Sequence, residues 1–184
     1  MRIASFALLI ALVPQVWADD AVWRKLKTES DLVVFMRHTQ PVGGDPLAWD
    51  QSGNCEGEPM LTSDGKAHAK RIGKAFSEHG IKPIVISSPM CRCRDTAEIV
   101  FADKPVTDGN LREVASADSD RMKSFERKAQ TLIASHRGSV PVVFVSHRPN
   151  IDLLTMELIE SGELLVGRAS AKGEIDVLGK IKIP

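Results

Sequence analysis

Neither sign of charge is in excess in this chain: 24 lysines and arginines meet 24 aspartates and glutamates. No global field draws it onto a polyanion, and its basic residues are scattered rather than interleaved with aromatics, which argues against nucleic-acid binding. Also absent are a glycine-rich Walker loop, a GxSxG elbow and an HExxH helix. P-loop nucleotide hydrolysis, serine hydrolysis and zinc proteolysis thereby lose their usual sequence support. No internal repeat, low-complexity tract or linker suggests a second domain. Only three cysteines occur, Cys55, Cys91 and Cys93, and without histidines at ligand spacing they make a poor zinc site; neither a metal nor a cofactor is expected. What remains is an ordinary globular domain, since 184 residues, 43% apolar and 26% charged, suffice for one real core.

Residues 1–18 stand apart from that domain. MRIASFALLIALVPQVWA has a positive start at Arg2, an apolar stretch from Ile3 to Val13, and Val16-Trp17-Ala18 at its end, the small-residue pattern of signal-peptidase cleavage. The apolar run is shorter than the roughly 20 residues a membrane span needs, and Asp19-Asp20 follows at once. The expectation is a signal peptide over 1–18, a single mature domain over 19–184, export, and no membrane span in the mature chain. In an oxidising compartment three cysteines allow one disulfide and one leftover thiol. Cys91 and Cys93, two apart at the start of a helix, do not face each other, so one of them pairs with Cys55.

Apolar runs then alternate with helical patterns. Residues 32–36 read as a buried strand. The segment 61–80 carries Ala69, Ile72, Ala75 and Phe76 at helical spacing, with N-cap candidates at Thr62 to Asp64 and a stop at Gly80. Strand 83–87, helix 91–101 entered through Pro89, helix 118–137 and the β-branched strand 140–146 follow. A short helix over 151–159 and two closing strands, 163–168 and 173–181, complete the chain. Strands separated by helices predict an α/β fold, a three-layer αβα sandwich with a mostly parallel central sheet. In such sheets ligands collect beyond the carboxyl ends of the strands. The three central strands run into Arg37-His38, into Ser87-Ser88-Pro89 before Arg92, and into Ser146-His147-Arg148. The long loop over residues 40–59 is a further functional candidate.

Arginine gathered this way suits phosphate or carboxylate, because its planar fork donates two parallel hydrogen bonds and stays charged. A nucleophilic histidine flanked by arginines suits phosphoryl transfer, where catalysis is mostly positioning and electrostatic stabilisation.

Four ordered segments, RH at 37–38, LTSDGKAHA at 61–69, SSPMCRCRDTA at 87–97 and VSHRPNI at 145–151, resemble the histidine phosphatase superfamily in its shorter phosphoglycerate mutase-like branch. The resemblance covers nearly the whole mature chain. It implies a phosphoglycerate mutase-like fold and a covalent phosphohistidine on His38. Arg37 and Arg92 would hold the phosphate oxygens, with His147 completing the pocket. Glu113, in LREV, becomes the general acid that protonates the leaving oxygen, with Asp118 as second choice. The pattern after SSP selects Arg92 over Arg94 and places Cys93 at a small, packed position, which leaves Cys91 as partner for Cys55. Arg94 and Arg148 fall to the surface or rim.

Two departures from the family pattern concern the outer pocket wall: Thr39 replaces the usual glycine after the nucleophile, and Val42 stands near an expected threonine. His68 takes a position often held by Gln; with His79 and His136 it reads as a solvated helix residue, and Trp23 and Trp49 as packing residues. The resemblance implies an exported, metal-independent histidine acid phosphatase-type phosphomonoesterase, placed in the bacterial periplasm, acting on a small-molecule or protein-borne phosphate ester, with an envelope phosphosugar as the hint. Alternatives are a phosphohistidine or phosphoprotein phosphatase and, from another class, a non-catalytic binder of phosphorylated ligands. A mutase is disfavoured because the chain leaves little room for an elaborate substrate cap.

Overall fold

The computed structural model describes residues 16–114 and 119–184; residues 1–15 of the predicted signal and Asp118 lie outside the described residues. Chain order is helix α1 (Val16–Thr28), strand β1 (Leu32–Arg37), the short strands β2 (Pro41–Val42) and β3 (Met60–Leu61), and helix α2 (Ser63–Glu78). Next come β4 (Ile84–Ser87), α3 (Cys91–Phe101), β5 (Val106–Thr107), a 3₁₀ turn over Gly109–Leu111 and α4 (Ser119–Ser135). Strand β6 (Val142–Ser146), α5 (Arg148–Thr155), β7 (Leu164–Ala169) and β8 (Ile175–Ile181) close the chain.

The main sheet has the order β5-β4-β6-β1-β7-β8. Strands β5, β4, β6 and β1 are parallel, while β7 and β8 are antiparallel. This is the expected α/β architecture with a mostly parallel sheet. Its central strands are apolar along their length because both faces are covered. Val34, Met36, Val143 and Val145 pack with α1, α2 and α3 through Trp23, Ile72, Phe76 and Ala97. Val33, Phe35, Val142 and Phe144, the alternate residues, pack on the other face with Phe125, Ile133 and Ile151 of α4 and α5. The two-residue period of the strand thus divides one apolar run between two core layers.

Local chemistry explains the element ends. Thr62 caps α2, its hydroxyl accepting from the Gly65 N–H at 2.9 Å, and Gly80, at φ +67°, turns the chain out of that helix as only glycine does at little cost. Gly73 lets α2 and α3 approach: a Cβ there would stand 2.3 Å from the Val100 carbonyl oxygen.

Three sequence expectations need correction. The helix expected over 151–159 starts at Arg148 and ends at Thr155. Pro149 suits its first turn, where an N–H has no intrahelical partner, and Met156 in the left-handed region ends it. Helix α1 is not anticipated by the sequence pattern; Val22, Trp23 and Leu26 bury one face of it, and the expected cleavage point after Ala18 falls in its first turn. The three helix histidines are not simply solvated. His68 Nε2 is 2.7 Å from the Ile183 carbonyl, His79 stacks on Trp23 with ring centroids 4.4 Å apart, and His136 Nδ1 is 2.8 Å from the Leu132 carbonyl. None of the helices among the described residues is long and apolar enough to cross a membrane.

The loop between β2 and β3 contributes little to the core and is held by other means. Asp45 and Asp50 carboxylates accept from the Leu47 and Ser52 N–H groups at 2.9 and 2.8 Å, and Cys55 is bonded to Cys91. Cys93, the leftover thiol, is buried. With a sequence separation of 36 between the bridged positions, loss of the bridge frees chain entropy in the unfolded state. Cys55→Ser is therefore expected to lower unfolding free energy by about 3 to 4 kcal/mol in urea titrations. Reductant should lower the wild-type protein to the same level and leave the variant unmoved.

Candidate active site

Strand register carries the polar residues to one edge. Arg37 pairs with Ser146, and Ser87 with Val145, so the chain leaves β1, β4 and β6 side by side. The His38 N–H donates to the Ser146 carbonyl at 3.2 Å, and the Ser88 N–H to the Val145 carbonyl at 2.9 Å. His38, Arg92 and His147 are all buried, at 4%, 1% and 0% exposure. The histidine rings lie 5.5 Å apart, centroid to centroid.

His38 Nδ1 is 2.9 Å from the Thr39 carbonyl oxygen. That oxygen can only accept, so Nδ1 carries the proton and Nε2 keeps its lone pair. Burial pushes the imidazole down to about 4; the Thr39 carbonyl opposes this, and the Arg92 and Arg37 charges add to it. His38 is thus a neutral imidazole with one nitrogen fixed and the other free to act.

His147 is also held well below its ordinary value, first by burial and then by Arg92, His38 and Arg37. Its Nδ1 is 3.3 Å from Glu113 Oε2 and its Nε2 is 2.9 Å from Ser88 Oγ. The Ser88 hydroxyl and Nε2 share a hydrogen bond, and the Glu113 carboxylate stands close to Nδ1.

Arg92 Nη2 donates to Glu113 Oε2 and, at 2.9 Å, to the Pro46 carbonyl. Arg37 Nη1 donates to the Ile159 carbonyl at 3.2 Å. One nitrogen of each guanidinium, Arg37 Nε and Arg92 Nη1, is buried without a hydrogen-bond partner among the described residues. Buried donors of this kind are rare in proteins and call for a functional explanation; two of them on guanidinium groups suit an anion.

Glu113, reached through LREV, therefore joins the cluster, bridging Arg92 and His147. Arg94 does not join it: its Nη2 lies 3.0 Å from Cys91 Sγ and 3.1 Å from the Gly53 carbonyl, braced against the disulfide. Arg148 is exposed, yet near enough for its charge to act on Arg37. Thr39 is fully buried, its N–H donating to Thr96 Oγ1 at 3.1 Å, so it is taken up by α3, while Val42 is 63% exposed. Trp49 packs under the Arg112 guanidinium at 4.2 Å, which joins the 40–59 loop to the segment carrying Glu113. Cys93 sits 3.6 Å from His147 Nε2, and burial pushes its thiol far up, which makes it an inert neighbour.

Two residues escape a reading of the sequence. Asn150 clamps the Glu113 segment, donating to the Leu111 and Arg112 carbonyls at 3.1 and 2.9 Å and accepting from the Val114 N–H at 3.0 Å. Glu58, buried at 5% exposure, accepts from the Cys91 N–H at 2.7 Å. Asn150 lies within VSHRPNI and could have been flagged there. Glu58 lies in a loop whose pattern offers nothing to read.

An αβα sandwich with a histidine and two arginines at the carboxyl edge of its parallel strands defines the class of protein. The family model for the histidine phosphatase superfamily, branch 1, matches residues 33–131, and the chain belongs to that superfamily. No curated protein matches the chain in sequence. Among solved structures it is similar to a phosphoglycerate mutase from Thermus thermophilus, with 17% identity over 83% of this chain and 99% of that one and a TM-score of 0.61. It is also similar to a putative phosphohistidine phosphatase SixA from Agrobacterium tumefaciens, with 19% identity over 85% and 99% of the two chains and a TM-score of 0.54. A third is the protein histidine phosphatase SixA complexed with tungstate, at 15% identity, 82% and 96% coverage and a TM-score of 0.59.

The depressed His38 value makes the site a liability in acid. Unfolded His38 takes up a proton near pH 6.5 and folded His38 only near 4. Its neutral form therefore supports the fold fully above 6.5 and loses that support as pH falls through this window. From 6.5 to about 4, His38 alone is worth about 3 kcal/mol. His38→Gln should lose less stability than wild type between pH 7 and 4.5 in urea titrations; parallel losses would mean another group controls acid unfolding.

Proposed function

We propose that this chain is an exported phosphomonoesterase that works through a covalent phosphohistidine on His38. The observation that carries the reading is the fixed tautomer of a buried, neutral His38 beside two guanidinium groups with unpartnered nitrogens. Arg37 and Arg92 would take the equatorial phosphate oxygens and stabilise the charge there. This supplies without a metal the cationic clamp that phosphoryl transfer requires. His38 Nε2 attacks phosphorus as the bond to the leaving oxygen breaks, and protonated Glu113 gives that oxygen its proton. Water then attacks the phosphohistidine, Glu113 takes a proton back, and inorganic phosphate leaves with Nε2 restored.

Glu113 must carry a proton for the first step, although in the free site it pairs with Arg92. An arriving phosphate competes with Glu113 for that guanidinium. Aryl phosphates, with good leaving groups, need this proton less.

Export rests on the leader-like residues 1–18, and the Cys55–Cys91 bridge supports it because disulfides persist in oxidising compartments. The bacterial periplasm and an envelope phosphosugar substrate follow from the family resemblance. The SixA neighbours favour a second reading, a phosphohistidine or phosphoprotein phosphatase, with the same chemistry on a protein-borne phosphate.

The testing experiment is phosphate release from an aryl phosphate with chelator present. Wild type should turn over and His38→Ala should not; a cooperative thermal transition in the variant shows that it still folds. Activity abolished by chelator would overturn the mechanism, and ligand binding that survives His38→Ala without any wild-type turnover would make the protein a binder. Glu113→Gln should cost kcat on an alkyl phosphate about 10²–10⁴-fold, the range of general acid catalysis, and cost it less on the aryl ester. Equal losses on both would assign Glu113 to holding Arg92 alone.

A further inference from the structure

The loop from β2 to β3 meets helix α3 at a single turn, where four ties gather. Cys55 is bonded to Cys91, and the Cys91 N–H donates to Glu58 Oε2 at 2.7 Å. Arg92 Nη2 donates to the Pro46 carbonyl at 2.9 Å, and Arg94 Nη2 to the Gly53 carbonyl at 3.1 Å. Among these loop groups only Glu58 brings a negative charge. Its side chain is 1% exposed, and the oxygen that accepts from Cys91 also stands 3.9 Å from Arg92 Nη1, one of the two unpartnered guanidinium nitrogens.

A buried carboxylate is a costly way to fix a loop. An apolar side chain of similar volume would fill the space with less desolvation, and burial already pushes the Glu58 carboxyl up. Its position suggests a task beyond packing, because one oxygen reaches both the backbone that begins α3 and the side chain that the second residue of α3 sends into the site.

We propose that Glu58 is a positioning residue for the phosphate site: it holds the first turn of α3 through the Cys91 N–H and the Arg92 guanidinium through charge, and so sets where that guanidinium meets a phosphate oxygen. The proposal rests on the phosphatase reading above. The sign of the effect separates it from simple electrostatics. A carboxylate near an anion site repels the anion, so if Glu58 acted only by its field, neutralising it would tighten oxyanion binding. Positioning gives the opposite result, since a neutral amide can still accept from Cys91 but no longer holds the guanidinium.

The test measures tungstate binding by calorimetry, together with kcat and KM for an aryl phosphate and the melting temperature, for wild type, Glu58→Gln and Glu58→Ala. Glu58→Gln keeps the shape of the side chain and an acceptor for Cys91, so it reports on the site even where Glu58→Ala folds poorly. The expected result is tungstate affinity weakened about 10-fold in Glu58→Gln, about 1.4 kcal/mol of binding free energy, with KM raised in parallel and kcat changed less. Unchanged or tighter tungstate binding in Glu58→Gln, with or without a lower melting temperature, would overturn the proposal. Tungstate binding by wild type separates the two readings: if wild type neither binds it nor releases phosphate, the phosphatase reading fails and this one falls with it. If wild type binds and Glu58→Gln binds equally well, only the role of Glu58 is lost.

Discussion

An arginine taken out of water costs several kcal/mol unless its charge is met inside the protein, and Arg92 is 1% exposed. Much of the site can be traced to how that charge is met. Glu113 pairs with one end of the guanidinium and Glu58 stands near the other. Each carboxylate has to be delivered by a different stretch of chain. Asn150 holds the 111–114 segment that delivers Glu113, and the loop ties at α3 deliver Glu58. Burial keeps both histidines neutral, and the Arg92 and Arg37 charges add to it.

The end of the sheet is where such a cluster can exist. Along β1 the residues Leu32 to Met36 are buried on one face or the other, and a charge in that run would have no acceptor within reach. At the carboxyl end the strands stop together, and their last carbonyls and the start of α5 supply polar partners. The Ser146 carbonyl takes the His38 N–H, and the Thr39 carbonyl fixes the His38 ring. The buried histidine and the scaffold therefore share the backbone that ends the strand.

This division also decides what can be read in the sequence. Strands β1, β4 and β6 and helix α3 are legible because unbroken β-branched runs and the Ser-Ser-Pro entry leave few alternatives, and the residues just beyond them are legible as a consequence. Helix α1 is hidden, because among its described side chains only the apolar Val22, Trp23 and Leu26 are buried and it begins inside a segment that reads as a leader. Glu58 and Asn150 are hidden for a different reason. Their partners lie 33 to 39 residues away, and no periodicity links residues joined by tertiary packing alone. Glu113 is found through resemblance to a family segment; nothing in its own neighbourhood marks it as the partner of Arg92.

The loop between β2 and β3 shows what happens where the core cannot help. Between Pro41 and Leu61 only Glu58, Pro59 and Leu61 are buried, far too little apolar area to hold the segment in place, given about 1–2 kcal/mol of backbone entropy for each residue ordered. Covalent and polar restraints take over: aspartate-capped turns at Asp45 and Asp50, a bridge to α3, and a stack of Arg112 on Trp49. Such restraints fix a few points of the backbone and leave the side chains between them free to differ. Leu47 sits one residue beyond the carbonyl that takes Arg92; its N–H is tied to Asp45, but the residue is 48% exposed and its side chain carries none of the anchoring. The side chains of the loop can thus vary while its anchors at Pro46, Cys55 and Glu58 keep the backbone beside Arg92 in place. A segment with little apolar burial gains in this way a fixed backbone without a fixed surface.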